Sequence, residues 1–137
     1  MRHYSSISKH LFSEENVKKY LDYFSECLKN KQFKICLDRD KNNDFLEDYQ
    51  LTTNDLYQLL SELTYLNFCT ILVNDNPKYP KDLLYVFGLT KTFEVFGDFE
   101  EVELYIKINT INTNNSCKFA IVISIHPAKY PMNYHFK

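Results

Sequence analysis

Glycine is nearly missing from this chain: its 137 residues contain 2, Gly88 and Gly97, and tryptophan is absent. A phosphate-cradling glycine loop cannot be written with two glycines so far apart, which excludes the common nucleotide-binding folds. No run approaches the roughly 18 apolar residues of a membrane-crossing helix. The opening residues Met1 to Ser6 also lack the apolar stretch of a secretion signal, so the chain reads as soluble and cytoplasmic. Cys27, Cys36, Cys69 and Cys117 show no C-x-x-C spacing. Without a secretion signal they read as reduced core thiols rather than as a metal site or disulfide framework. One sign of charge is missing from one end. All 18 acidic residues lie at or before Glu103, and beyond it stand Lys107, Lys118, Lys129 and Lys137. A net charge of -2 argues against coating nucleic acid by charge alone. The asymmetry nevertheless suits a local anion site on an acidic protein, and equally a few solvated lysines.

What is abundant is aromatic: 11 Phe and 11 Tyr. The length suits one domain over 1–137, large enough to bury roughly two-thirds of its unfolded surface. Ser13 followed by Glu14 and Glu15 is an N-cap with acids in the first turn. Val17, Tyr20, Leu21, Phe24, Cys27 and Leu28 continue it as a helix over about 14–30. Phe33, Ile35 and Leu37 alternate as a short strand, and D-R-D-K-N-N-D reads as a polar turn. Thr52 or Thr53 starts a second helix with Leu56, Leu59, Leu60 and Leu63 as its buried stripe. Residues 68–73, 83–88 and 92–96 read as strands. Between the first two, Pro77 and Pro80 keep Lys78, Tyr79 and Lys81 on an irregular loop. The expected fold is α+β: two N-terminal helices on one face of a twisted antiparallel sheet of about five to six strands, with the other face open.

The clearest feature is the C-terminal hairpin, V-E-L-Y-I-K-I-N-T-I and C-K-F-A-I-V-I-S-I-H joined by an Asn-rich turn. Centring that turn on Asn114 and Asn115 sets Leu104, Ile106, Ile108 and Thr110 against Ile125, Ile123, Ile121 and Phe119 as one apolar face. Tyr105 then lies opposite Ser124, Lys107 opposite Val122 and Glu103 opposite His126. A slip of one residue would scramble both faces. Tyr105, Lys107 and His126 thus share the polar face. Each also has a plain structural reading, as a solvated side chain or, for His126, a cross-strand partner of Glu103.

The runs L-Y-I-K-I and I-V-I-S-I-H-P-A-K-Y-P-M-N-Y resemble the MqsR-like toxins of bacterial type II toxin–antitoxin systems. R-D-K-N-N-D-F-L, L-T-T-N-D-L-Y-Q-L-L-S-E-L-T and Y-V-F-G are similar to upstream segments of that family in the same order, over about residues 13–137. The resemblance implies a RelE-like microbial RNase fold that cleaves mRNA without a metal or other cofactor. Its partners would be the mRNA substrate and a cognate antitoxin protein, with no membrane and with DNA reached through the antitoxin alone. Tyr105 matches an active-site Tyr, His126 a position held by Lys or His, and Lys81 falls near a polar active-site position. One position departs. Thr70 stands where the family often has Lys, and Thr carries no charge to a phosphorane.

The residue types can be weighed on their own chemistry. Metal-free RNA cleavage needs a base for the 2′-OH, cations for the phosphate oxygens and an acid for the leaving 5′-oxygen. His126, Tyr105, Lys107 and Lys81 are the catalytic candidates. Lys78, Tyr79, Lys129 and Tyr130 are the candidates for holding substrate, the tyrosines by stacking on bases. The expected function is that of a metal-independent endoribonuclease toxin. The alternative, fed by Thr70 and the net charge, is an inactive relative that binds RNA or protein through the same face.

Overall fold

The computed structural model describes residues 7–74, 82–112 and 118–137. Its elements run α1 (Glu14–Lys29), β1 (Phe33–Ile35), α2 (Asp40–Asp48), α3 (Thr53–Ser61), β2 (Phe68–Val73), β3 (Leu83–Val95), β4 (Asp98–Asn112) and β5 (Lys118–Pro127). The architecture is α+β, with the five strands in one sheet of order β1-β5-β4-β3-β2. Strands β2 to β5 form an antiparallel meander, as short connections dictate. Strand β1 instead pairs parallel to β5, so the sheet is mixed rather than wholly antiparallel.

Local chemistry starts the helices where expected. The Ser13 hydroxyl accepts from the Asn16 N–H at 3.1 Å. Thr52 and Asp55 form a reciprocal capping box, at 3.2 and 2.8 Å, that begins α3. Val17, Phe24, Cys27 and Leu28 of α1 and Leu56, Leu59 and Leu60 of α3 are buried with Phe87, Leu104, Ile106, Ile108, Val122 and Ile125 of the sheet. Each such side chain contributes about 1.5–3 kcal/mol of transfer free energy. Among the described residues no helix is long and apolar enough to cross a membrane. Cys27, Cys36 and Cys69 are not in disulfides, and Cys27 is buried.

Three readings of the sequence are corrected. First, the segment read as a polar turn is the beginning of α2, making three helices rather than two. Its apolar positions are few, but Phe45 is buried and packs edge-on to Phe93, with ring centroids 5.8 Å apart. Second, 83–88 and 92–96 are parts of one long strand, β3. Thr90 and Lys91 stay in register with Glu103 and Val102, and pairing breaks only at Phe96 and Gly97, both with positive φ. That two-residue connection suits a primed hairpin turn.

Third, the C-terminal hairpin is shifted. Tyr105 pairs with His126, Ile106 with Ile125 and Lys107 with Ser124, after which Ile108 pairs with Val122. The omitted residue, Ile123, is a β-bulge, an extra residue on one strand that flips the alternation beyond it. Val122 and Ala120 are therefore buried with Ile125, and Ile123, Ile121 and Phe119 are only partly buried. The turn residues Asn114 and Asn115 lie outside the described residues. The C-terminal residues, at a place where fraying is the default, are held down. His135 N–H donates to the Phe68 carbonyl at 2.9 Å, and Phe136 packs on Phe68 and Tyr65.

Strand β1 covers only residues 120–122 of the outer edge of β5. Beyond it, one side chain takes over. The fully buried Asn42 of α2 accepts from the Ile125 N–H at 2.9 Å. Its amide nitrogen donates to the carbonyls of Ile123 at 2.9 Å and Cys36 at 2.8 Å. Replacing Asn42 by Ala leaves these backbone groups without partners, at about 1–3 kcal/mol for each buried group. We expect Asn42→Ala to lower stability in urea unfolding by about 3 kcal/mol or more. A loss under about 1 kcal/mol would show that the edge does not depend on the amide.

Candidate functional site

The face of the sheet turned away from α1 and α3 is built by strict alternation along β4 and β5. Tyr105 and Lys107 project on the face opposite Leu104, Ile106 and Ile108, and Ser124 and His126 lie opposite them across the pair. Continuing the rows, Lys107 neighbours Val86 of β3, and Val86 neighbours Thr70 of β2. Gly88 neighbours Tyr105 in the same way. Thr70, Val86, Tyr105, Lys107, Ser124 and His126 floor a cavity of about 900 Å³. One wall is the start of α2, with Arg39, Asp40 and Lys41; the other is the segment from Ala128 to Asn133.

The C-terminal wall is held by Glu103. Its carboxylate accepts from the Met132 N–H at 3.0 Å and the Tyr134 hydroxyl at 2.8 Å, and its backbone carbonyl accepts from Ala128 N–H at 2.8 Å. The Tyr134 ring lies over Gly88, where a β-carbon would sit 2.7 Å from its hydroxyl oxygen. Gly88 is thus required for close approach, not for a turn. Burial and the Glu103 carboxylate raise the Tyr134 phenol well above its ordinary value, so it stays a donor. Glu103 is therefore not the cross-strand partner of His126.

That place belongs to Tyr105. The two rings stack with centroids 5.6 Å apart and planes 20° apart. His126 Nδ1 lies 2.9 Å from the Pro127 carbonyl oxygen. A carbonyl only accepts, so Nδ1 carries the proton and the neutral ring keeps its lone pair on Nε2. Burial lowers the imidazole pKa below its ordinary 6.5. The Pro127 bond opposes this, and the charges of Lys41, Arg39 and Lys107 lower it further. At neutral pH the ring is predominantly the neutral base. A carboxylate partner such as Glu103 would raise this pKa; the field around the ring has the opposite sign.

Four cations, Arg39, Lys41, Lys107 and Lys129, line the cavity with a single acid, Asp40. The cavity is thus a local excess of positive charge on a chain of net charge -2. Cys69 also lines it, but burial first and then the Glu103 charge push its thiol up to about 11. It is a protonated thiol at neutral pH and no nucleophile. Among the described residues no three His, Cys, Asp or Glu side chains converge as a metal set.

Of the residues singled out from sequence, His126, Tyr105, Lys107, Lys129 and Tyr130 line this one cavity, and so does Thr70. Tyr130 is 71% exposed at the rim, with Lys129 Nζ 5.5 Å from its ring centre. Lys78, Tyr79 and Lys81 lie outside the described residues. The sequence reading missed Arg39 and Lys41 because their segment was taken for a turn. Two cations flanking one position at the start of a helix were the available signal. The sequence also puts Ser124 on this face, opposite Tyr105, without showing that it is a buried member of the floor.

No protein-family model matches the chain, and no curated protein or solved structure matches it either.

The His126 resonances should titrate below the ordinary imidazole value of about 6.5 in an NMR pH series, with the Nδ1–H tautomer in the neutral form. Raising ionic strength should move that pKa upward, because salt screens the three cations while burial persists. A pKa at or above the ordinary value, or one indifferent to salt, would contradict this description of the site.

Proposed function

We propose that this cavity cleaves single-stranded RNA, the 2′-oxygen attacking the adjacent phosphorus, and that the protein is the endoribonuclease toxin of a toxin–antitoxin pair. The observation that carries the reading is the ring of cations around a neutral, oriented imidazole. RNA supplies both things such a site acts on: an anionic phosphorus centre and a neighbouring hydroxyl to deprotonate. His126 Nε2 takes the 2′-OH proton. The 2′-oxygen bonds to phosphorus, the bond to the 5′-oxygen breaks, and the products are a 2′,3′-cyclic phosphate and a 5′-hydroxyl. Lys107 stabilises the charge building on the phosphate oxygens. The Tyr105 hydroxyl donates its proton to the leaving 5′-oxygen and recovers one from water. Tyr130 and Lys129 at the rim hold a flanking nucleotide by stacking and charge.

The resemblance of the L-Y-I-K-I and I-S-I-H-P runs to MqsR-like toxins supports the same reading, since those runs contribute Tyr105, Lys107 and His126. It adds two expectations, a cytoplasmic location and a cognate antitoxin that masks the cavity. A basic cavity open to solvent is a surface that an acidic partner segment would cover.

Purified protein should cleave a single-stranded RNA in EDTA, leaving a 2′,3′-cyclic phosphate end. Replacing the riboses by 2′-deoxyriboses should abolish cleavage but not binding. His126→Ala should slow cleavage by about 10²–10⁴-fold, the usual worth of a general base, and Tyr105→Phe should slow it while sparing the ring stack. Intact RNA at high enzyme concentration would remove the nuclease reading. If that RNA were also bound tightly, the cavity would be an RNA-binding module without chemistry.

A further inference from the structure

The position of Thr70 poses a problem that the other wall of the cavity answers. Thr70 is neutral, and in its row Lys107 is two strands away, roughly 10 Å at ordinary strand spacing. Among the described residues the β2 side of the floor has Cys69, Thr70, Leu72 and Val86, with no cation. The opposite side is crowded with them. Lys107 and His126 project from β4 and β5, and Arg39 and Lys41 come from the start of α2. We propose that Arg39 and Lys41 form, with Lys107, the clamp that holds the scissile phosphate, in place of a cation on β2. This rests on the RNA-cleavage reading above and adds the residues that bind the phosphate.

Three observations support it. The two cations immediately precede Asn42, whose amide is bonded to Ile123 and Ile125 on either side of Ser124. The start of α2 is thereby fixed against the part of β5 that presents Ser124 and His126. Arg39 and Lys41 are themselves exposed, so neither is spent on the core. Among the described residues neither takes part in an ion pair, in contrast to Lys18, Lys19 and Lys91. The groups facing His126 are Tyr105 and Lys107 from β4, Arg39, Asp40 and Lys41 from α2, and Lys129 beyond β5. With one acid among them, the field favours a neutral base and a bound anion together.

The test compares wild type with Arg39→Gln/Lys41→Gln, a double substitution of exposed side chains whose folding is checked by thermal unfolding. Binding of a 2′-deoxy-substituted strand is followed by anisotropy across salt concentrations, and cleavage of the all-ribose strand is followed in parallel. The double variant should lose on the order of 10²-fold or more in kcat/KM. Its log–log salt slope should become shallower by about 0.7 for each phosphate contact removed. The acid limb of its pH–rate profile should move to higher pH, because loss of two cations raises the His126 pKa; a purely structural effect would not move it. Lys34→Gln, at an exposed position on β1, serves as the charge control and should match wild type. If wild type cleaves and the double variant matches it in rate, slope and pH profile, the clamp is wrong and the cleavage reading stands. If wild type neither binds nor cleaves, both fall.

Discussion

One buried amide, that of Asn42, ties the short helix α2 to the edge of the sheet. Strand β1 is too short to cover β5, and the uncovered stretch is where the bulge at Ile123 interrupts pairing with β4. A bulge beside an open edge leaves backbone groups facing a core or a neighbour without partners, which folded proteins rarely tolerate. Asn42 satisfies both sides of that stretch with one planar group, its oxygen on Ile125 N–H and its nitrogen on the Ile123 carbonyl. Asp would lack the donor and Leu would lack both functions. The short helix α2 is thereby tied to the sheet at its first turn and, through Phe45 against Phe93, further along.

The same contact decides what the open face can do. Because Asn42 docks from the edge, α2 reaches around β5: Phe45 lies in the core while Arg39 and Lys41 lie in the cavity. The bulge completes the arrangement from the other direction. It lets Val122 and Ile125 both point into the core while His126 stays on the polar face opposite Tyr105. Without the extra residue, one of the two apolar positions would face solvent.

This explains what could be read from the sequence. α1, α3 and β2 were legible because capping residues and apolar periodicity agree there, at Ser13, at Thr52 with Asp55, and over 68–73. The polar face was legible because strict alternation puts Tyr105, Lys107 and His126 together in any register of the right parity. The actual partner of His126 was not, since parity leaves a shift of two residues undetermined. Nor was the bulge, whose backbone groups are satisfied by an amide on a segment far away in sequence. Helix α2 was hidden because a nine-residue helix with Phe45 and Leu46 as its main apolar positions shows little periodicity. Its stability comes from tertiary contacts, which no local pattern contains.

The charge distribution gains meaning from the same geometry. Among the described residues, Asp40 is the one acid that lines the cavity, and several others have partners of their own. Glu14 and Glu15 pair along α1, Glu62 binds Lys91, Glu100 accepts from Tyr49, and Glu103 holds the C-terminal wall. The cavity is left with cations on its α2, β4 and β5 sides and with Leu72, Val86, Pro131 and Met132 elsewhere. Such a surface orients a ligand as well as attracting it. An anionic group lowers its energy most beside Arg39, Lys41 and Lys107, where the field is concentrated. An apolar or aromatic part of the same ligand is driven toward the uncharged side, where contact removes apolar surface from water. A nucleotide has these two parts, and the imidazole stands on the charged side, within the field of Lys41, Arg39 and Lys107. Thr70, on the uncharged side, is then in keeping with its surroundings rather than a gap in the site.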